Sequence, residues 1–286
     1  MTISGKAKLA GVMGWPVGHS LSPVLHGHWL QSLGIDGAYV PLAVAPDDFT
    51  RVLAALPRMG FRGANVTVPH KEAALAAVDE ADALAQRICA VNTVIVGDGG
   101  RLAGTNTDGF GFLENLKDGA PDWNPAAAPA AVLGAGGAAR AVVVALIDAG
   151  VPELRLMNRT RARAEQLAAD LDGGTGVIAV HDWDDRNAAL DGAGLLVNTT
   201  TLGMTGKDAL DIGLDALPMD ALVNDIVYAP LETDLLAAAR ARGNPAVDGL
   251  GMLLHQARPG FEAWFGQAPE VTASLRSVIL DRLDHG

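Results

Sequence analysis

Residues 64–71 read ANVTVPHK. Their apolar alternation puts Asn65 and Thr67 on one side of a strand, and Lys71 follows where the strand stops. In GWPVGHSLSP (14–23), Ser20 and Ser22 stand two residues apart at a strand-to-helix turn. Two hydroxyls beside a helix start suit a carboxylate. GTNTDGFG (104–111) brings Asn106 and Asp108 to the end of another strand. Taken singly, each is ordinary: Ser22 caps a helix, and Lys71 is a solvated residue of a first helical turn. Gathered at several strand ends, they read as a ligand site.

The most specific local signal is VLGAGGAARAVVVALIDAG (132–150). An apolar strand ends at Gly134, a turn holds Gly136 and Gly137, and a helix runs to Gly150. Gly134 permits the tight turn, and Gly136 has no side chain to keep a pyrophosphate from the helix N-terminus. Ala139 stands where the common pattern has its third glycine. A strand before and a helix after are the context that dinucleotide binding requires. The next strand ends at Asn158, Arg159 and Thr160, with Arg161 and Arg163 beyond. A carboxylate at this place would select NAD; a guanidinium grips a ribose 2′-phosphate. The cofactor expected is therefore NADP, with most weight on Arg159.

Composition bounds the rest. The chain has 286 residues, enough for two domains, and 49% are hydrophobic against 19% charged. A formal charge of -12 repels phosphate backbones, so no nucleic-acid partner is expected. Cys89 is the one cysteine, which excludes an internal disulfide and a paired-cysteine metal site. No cluster of histidine, cysteine and carboxylate calls for a metal. The opening residues lack a secretory leader pattern, and no apolar run approaches the roughly eighteen residues of a membrane span. These points fit a cytoplasmic enzyme of small molecules.

The elements that must position these groups alternate strand and helix. Strands are expected at 9–14, 38–44 (an edge strand because of Pro41), 61–68, 90–96 and 101–106. Helices are expected at 22–34, capped by Ser22, at 47–60, capped by Asp47 or Asp48, and at about 71–78 and 80–87. The pair at 90–106 reads as a hairpin with a glycine-rich turn. A helix follows Asp108, and residues 120–130 read as a connector. Beyond lie strands at 130–134, 153–158, 176–180, 195–200, 221–228 and 245–249, with helices between them and two helices in the tail. The fold class expected is α/β: a mostly parallel mixed sheet, then a Rossmann-type doubly wound sheet. Residues 1–108, completed by helices from about 250 to 286, form the substrate-binding catalytic domain; residues 109–249 form the NADP-binding domain.

The motifs GWPVGHSLSP, GANVTVPHK, AVNTV, GTNTDGFG, LGAGGAAR, NRT, NTTTLGM, DIVYAPL and DGLGMLLHQA together resemble the shikimate dehydrogenase family, from about residue 11 to about 260. The resemblance implies reversible NADP-linked reduction of 3-dehydroshikimate to shikimate, in the pathway to aromatic amino acids. It makes Lys71 and Asp108 the catalytic pair. It places the carboxylate on Ser20 and Ser22, and the hydroxyls on Asn65, Thr67, Asn92, Asp108 and Gln256, with Tyr228 shaping the substrate side. On the cofactor side it implies Gly134, Ala135, Gly136, Gly137, Ala138, Asn158, Arg159, Thr160 and Arg163. Thr200, Met204, Ile226 and Gly249 fall near the nicotinamide half. The sequence departs from the family at Asp234, where a proline is common, and in an extra threonine of TTTLGM.

The chemistry is consistent. Hydride addition to a ketone makes an alkoxide, and an ammonium beside it can donate a proton and offset the charge. His70 and His181 read as structural. Two rivals stand: a quinate/shikimate dehydrogenase of broader substrate or NAD use, against which Arg159 speaks, and a non-catalytic NADP-binding sensor, which would not need Lys71 and Asp108. The sequence leaves monomer and homodimer open.

Overall fold

The computed structural model describes residues 3–285. The chain divides into two compact units, one of residues up to 107 together with those from 256 on, the other of residues 108–255.

The first unit opens with β1 (Lys8–Gly14), α1 (Ser22–Ser32), β2 (Gly37–Ala43), α2 (Phe49–Leu53) and β3 (Phe61–Val66). It continues through α3 (Lys71–Ala77), β4 (Glu80–Ala81), α4 (Ala83–Ile88), β5 (Thr93–Val96) and β6 (Leu102–Thr105). The sheet order is β2-β1-β3-β5-β6-β4, with β2, β1 and β3 parallel and β5 antiparallel to both β3 and β6. β2 is an edge strand, as Pro41 requires. Met13, Phe49, Leu53, Val66, Val91 and Val94 are among the apolar side chains that pack one face of this sheet.

Four local expectations change. Leu21, not Ser22, holds the N-cap position of α1, and no side chain caps the helix. The hydroxyl that meets a first-turn amide is that of Ser20, which accepts from the Ser22 N–H at 3.3 Å. The helix expected at 47–60 breaks into α2 between two short 3₁₀ turns, Pro46–Asp48 and Pro57–Met59. Pro57 has no N–H to continue a ladder, and Asp48 stands at the N-cap of α2 without a side-chain bond. The helix expected from Glu80 starts at Ala83, because Asp82 is the better cap: its carboxylate accepts the Ala85 N–H at 2.7 Å. Glu80 and Ala81 pair instead with Ala103 and Gly104 of β6.

The second unit runs α5 (Asp108–Gly119), β7 (Ala130–Leu133), α6 (Gly137–Asp148), β8 (Leu154–Met157), α7 (Arg161–Leu171), β9 (Ile178–His181), β10 (Leu195–Asn198), β11 (Leu222–Asp225), α8 (Asp234–Arg242) and β12 (Ala246–Val247). Its sheet is wholly parallel, in the order β12-β11-β10-β7-β8-β9. Reversal of direction at β7 makes it doubly wound, with the switch point beside the glycine loop. The strand–helix alternation is incomplete. Only 3₁₀ turns, Trp183–Asp185 and Ala188–Leu190, lie between β9 and β10, and no helix lies between β10 and β11. The strands read as near-continuous apolar runs, since a parallel sheet is buried on both faces.

The chain ends with α9 (Leu250–Phe265) and α10 (Ala273–His285). Within the first unit the tail is tied back by the Trp264 indole, which donates to the Val94 carbonyl at 3.0 Å, and the Trp29 indole, which donates to the Glu270 carbonyl at 2.8 Å. Among the described residues no helix is long and apolar enough to cross a membrane.

Candidate active site

In the first unit the site is built on the central strand, β3. Asn65 lies opposite Val12 of β1 and Thr93 of β5. Its Nδ2 donates to the Asn92 carbonyl at 3.2 Å and to Thr93 Oγ1 at 3.1 Å, and its Oδ1 accepts the Tyr39 hydroxyl at 2.6 Å. The amide cannot be flipped, because Oδ1 would then face a carbonyl oxygen. Asn92 is held as firmly. Its Oδ1 accepts the Thr107 N–H at 2.9 Å and the Thr93 hydroxyl at 3.0 Å, while its Nδ2 lies 3.4 Å from Gln256 Oε1. The Thr107 hydroxyl reaches the Gln256 carbonyl at 2.8 Å. Three amide side chains from β3, the loop before β5, and α9 thus meet in one polar cluster. Asn65, Asn92, Thr93 and Thr107 are buried, so their hydrogen bonds are obligatory rather than decorative.

Lys71 is the first residue of α3, and Thr67 leads into it. The Thr67 N–H donates to the Met13 carbonyl at 2.9 Å, and the Val91 N–H donates to the Lys71 carbonyl at 3.0 Å, so both ends of the turn are pinned. His70 is structural, as expected: its Nε2 lies 2.8 Å from the Val44 carbonyl and its ring stacks on Phe49 at 4.4 Å. Asn106 Nδ2 donates to the Ala90 carbonyl at 3.0 Å and so closes the loop between α4 and β5.

In the second unit Gly134 follows β7 with φ 108°, in the region that favours glycine. A Cβ there would lie 2.6 Å from Thr199 Oγ1. Gly136 is the N-cap of α6, and a Cβ on it or on Gly137 would meet open space. With glycine at the N-cap, no capping side chain bonds the first amides of α6, an arrangement that suits an anion. Ala135 and Ala138 flank this turn, half-buried. Of the three arginines after β8, Arg161 is engaged: its Nε and Nη1 reach Glu165 and Asp182, each at 2.8 Å. Arg159 and Arg163 are exposed and have no ion-pair partner among the described residues. Thr160 is the N-cap of α7, although its side chain accepts no amide there, and the Asn158 Nδ2 donates to its carbonyl at 2.9 Å. This loop fits a dinucleotide with a 2′-phosphate: bare helix amides for the pyrophosphate, two unengaged guanidiniums, and no carboxylate on the turn.

The ends of β10 and β11 are knitted by a buried carboxylate. Asp225 accepts from Asn198 Nδ2, the Val227 N–H and the Thr233 hydroxyl, at 3.0, 3.0 and 2.8 Å. Burial pushes its pKa up, opposed by these three donors. Asn198 Oδ1 in turn accepts the Thr200 N–H and hydroxyl, at 3.0 and 2.8 Å. Ile226 and Gly249 are packed together, since a Cβ on Gly249 would lie 2.2 Å from the Ile226 carbonyl oxygen. Met204 is exposed on the turn after Thr200, and Tyr228, half-buried, has its hydroxyl pKa raised by burial. Among the described residues no three histidine, cysteine, aspartate or glutamate side chains gather as a metal site.

Three family models match the chain: the shikimate dehydrogenase substrate binding domain over residues 12–94, shikimate / quinate 5-dehydrogenase over 121–203, and the shikimate 5′-dehydrogenase C-terminal domain over 249–278. The shikimate dehydrogenase (NADP(+)) of Paramagnetospirillum magneticum is 66% identical, over 97% of this chain and 100% of that protein. The chain belongs to the shikimate dehydrogenase family.

Solved members of the shikimate dehydrogenase family carry the same fold. The Thermus thermophilus shikimate 5-dehydrogenase, in complex with NADP(H) and shikimate, is 39% identical with a TM-score of 0.83, covering 97% of this chain and 99% of that one. The Corynebacterium glutamicum quinate dehydrogenase, in complex with NAD, is 31% identical with a TM-score of 0.89, covering 96% and 99%. Of the positions that carry the family resemblance, Asn65, Asn92 and Gln256 come together in the first unit, with Ser20 and Thr67 in its loops and Ser22 and Lys71 opening α1 and α3. Asp108 opens α5 in the second unit, which also holds Tyr228. The sequence reading missed Tyr39, Thr93, Thr107, Asn198 and Asp225. NTV, NTD, NTT and NDI each flag one of the last four, but Tyr39 has no local signal.

Proposed function

We propose that the chain catalyses the reversible NADP-linked interconversion of 3-dehydroshikimate and shikimate, with residues 1–108 and about 250–286 as the substrate domain and residues 109–249 as the cofactor domain. The observation that carries this is the amide cluster of Asn65, Asn92 and Gln256 on the strand system that leads directly into Lys71. A polyhydroxylated ring needs several fixed donors and acceptors, and buried amides with locked orientation supply them.

The cofactor, when bound, supplies the hydride. Lys71 then gives its proton to the oxygen of the former ketone and offsets the charge that develops there. Asp108 takes the part of the companion carboxylate, orienting a ring hydroxyl. Ser20 and Ser22 receive the carboxylate; Asn65, Thr67, Asn92 and Gln256 take the hydroxyls, and Tyr228 shapes the substrate side. The glycine turn at Gly134, Ala135, Gly136, Gly137 and Ala138 holds the pyrophosphate. Asn158, Arg159, Thr160 and Arg163 hold the ribose phosphate, while Thr200, Met204, Ile226 and Gly249 line the nicotinamide half. The single cysteine, exposed Cys89, fits a reducing compartment, and we assign the protein to the cytoplasm.

The test is turnover at 340 nm for shikimate and quinate, each with NADP and NAD. Shikimate with NADP should give the highest kcat/KM. A higher value for quinate with NAD would overturn both the substrate and the cofactor.

A further inference from the structure

Tyr39 stands on the edge strand β2, buried, with its hydroxyl donating to Asn65 Oδ1 at 2.6 Å. Burial raises the Tyr39 pKa well above its ordinary value, so the group is a fixed donor at every working pH. The ring is held by a face-to-face stack on His26, with centroids 3.8 Å apart and planes within 1°. Trp264 closes on the same ring, its centroid 6.0 Å away. Among the described residues, neither ring nitrogen of His26 has a hydrogen-bond partner. Burial lowers the His26 pKa to about 3, with the Asn65 side chain a smaller opposing influence. That influence is slight on geometric grounds, because the polar atoms of Asn65 already serve Tyr39, Asn92 and Thr93. His26 is therefore a neutral platform, not an acid or base.

We propose that Tyr39 is a positioning residue for substrate recognition: its hydroxyl fixes the Asn65 amide and so sets the contact that Asn65 makes with a ring hydroxyl. The inference rests on the substrate reading given above. Its physical content is donor accounting. Both Nδ2 protons of Asn65 are engaged, so Asn65 addresses a ligand through the remaining lone pair of Oδ1. Where that lone pair points is decided by the hydroxyl that takes the other one. Tyr39 acts in this role through Asn65.

The test is Tyr39→Phe, which keeps the ring and its stack and deletes one oxygen. The expected result is a KM for shikimate raised about tenfold, a KM for NADP unchanged, and a smaller fall in kcat. In an Asn65→Ala background the same substitution should add almost nothing. A purely structural role would give effects that multiply, or would move both KM values together; either outcome overturns the proposal, as does a shikimate KM within twofold of the parent. A second measurement uses the native chain. It has two tyrosines, Tyr39 and Tyr228, so ¹³Cζ-tyrosine labelling gives two signals, assigned with Tyr228→Phe. Shikimate alone should shift the Tyr39 signal, and a stationary signal at saturating shikimate would contradict the proposal. Absence of turnover and of shikimate binding in the parent enzyme would instead remove the substrate reading itself.

Discussion

The Asp225 carboxylate accepts the Thr233 hydroxyl at 2.8 Å, and the same Thr233 oxygen caps α8 by accepting the Leu236 N–H. One buried acid therefore joins the ends of β10 and β11 to the start of α8. Removing it leaves the donors on Asn198, Val227 and Thr233 unsatisfied. Asp225→Ala should cost about 3 kcal/mol in urea unfolding, the range for a buried group stripped of its partners. The pH sign follows from the raised pKa. As pH climbs past 3.8, the unfolded chain ionises before the folded one, so Asp225 stabilises least once pH has risen above its folded pKa. Asp225→Asn removes this titration, and its stability relative to the parent should improve from pH 4 to pH 7. A flat difference would mean that the carboxyl is not desolvated.

His26 gives the opposite slope. Its folded pKa of about 3 lies below the ordinary 6.5, so the folded state holds it neutral while the unfolded state takes a proton. The stability it contributes is complete above pH 6.5 and is lost as pH falls toward 3. Between pH 7 and pH 4.5 the loss is about 3 kcal/mol, at 1.36 kcal/mol for each unit of pH below 6.5. His26→Phe, which keeps an aromatic face for Tyr39, should flatten this part of the acid limb. An unchanged limb would show that His26 is accessible to water.

The arginines after β8 separate by partner. Arg161 is held by Glu165 and Asp182, whereas Arg159 on the turn and Arg163 in α7 are exposed. Arg159→Ala should raise the KM for NADP tenfold or more, with little change for NAD, while Arg161→Ala leaves the NADP/NAD ratio within twofold. Equal effects of the two substitutions on that ratio would remove Arg159 as the reader of the 2′-phosphate.

How much of this was legible in the sequence depended on range. The glycine loop could be read because its strand, turn and helix lie within 132–150, and φ 108° at Gly134 is a local demand. Asn65 and Asn106, at strand ends, were legible for the same reason, whereas Asn198 at the end of β10 was not picked out. Tyr39 was not, because its partner Asn65 is 26 residues away and only strand pairing brings them together. The Thr107 bond to the Gln256 carbonyl spans 149 residues. Ser22 misled as a cap because the pattern S-P identifies a helix start but not which of two nearby serines meets the amide. The missing helices around β10 were misread from regularity: once several strand–helix repeats are seen, a stretch with glycines at 203, 206 and 213 is easily counted as another.

The proposed reaction needs the Lys71 ammonium as proton donor to the reacting oxygen. The direct measurement is steady-state turnover of Lys71→Ala with shikimate and NADP, beside NADP affinity from fluorescence titration. A loss of roughly 10²–10⁴ in kcat with NADP affinity unchanged is the predicted result, in keeping with removal of a general acid. A kcat within a few-fold of the parent enzyme would contradict it.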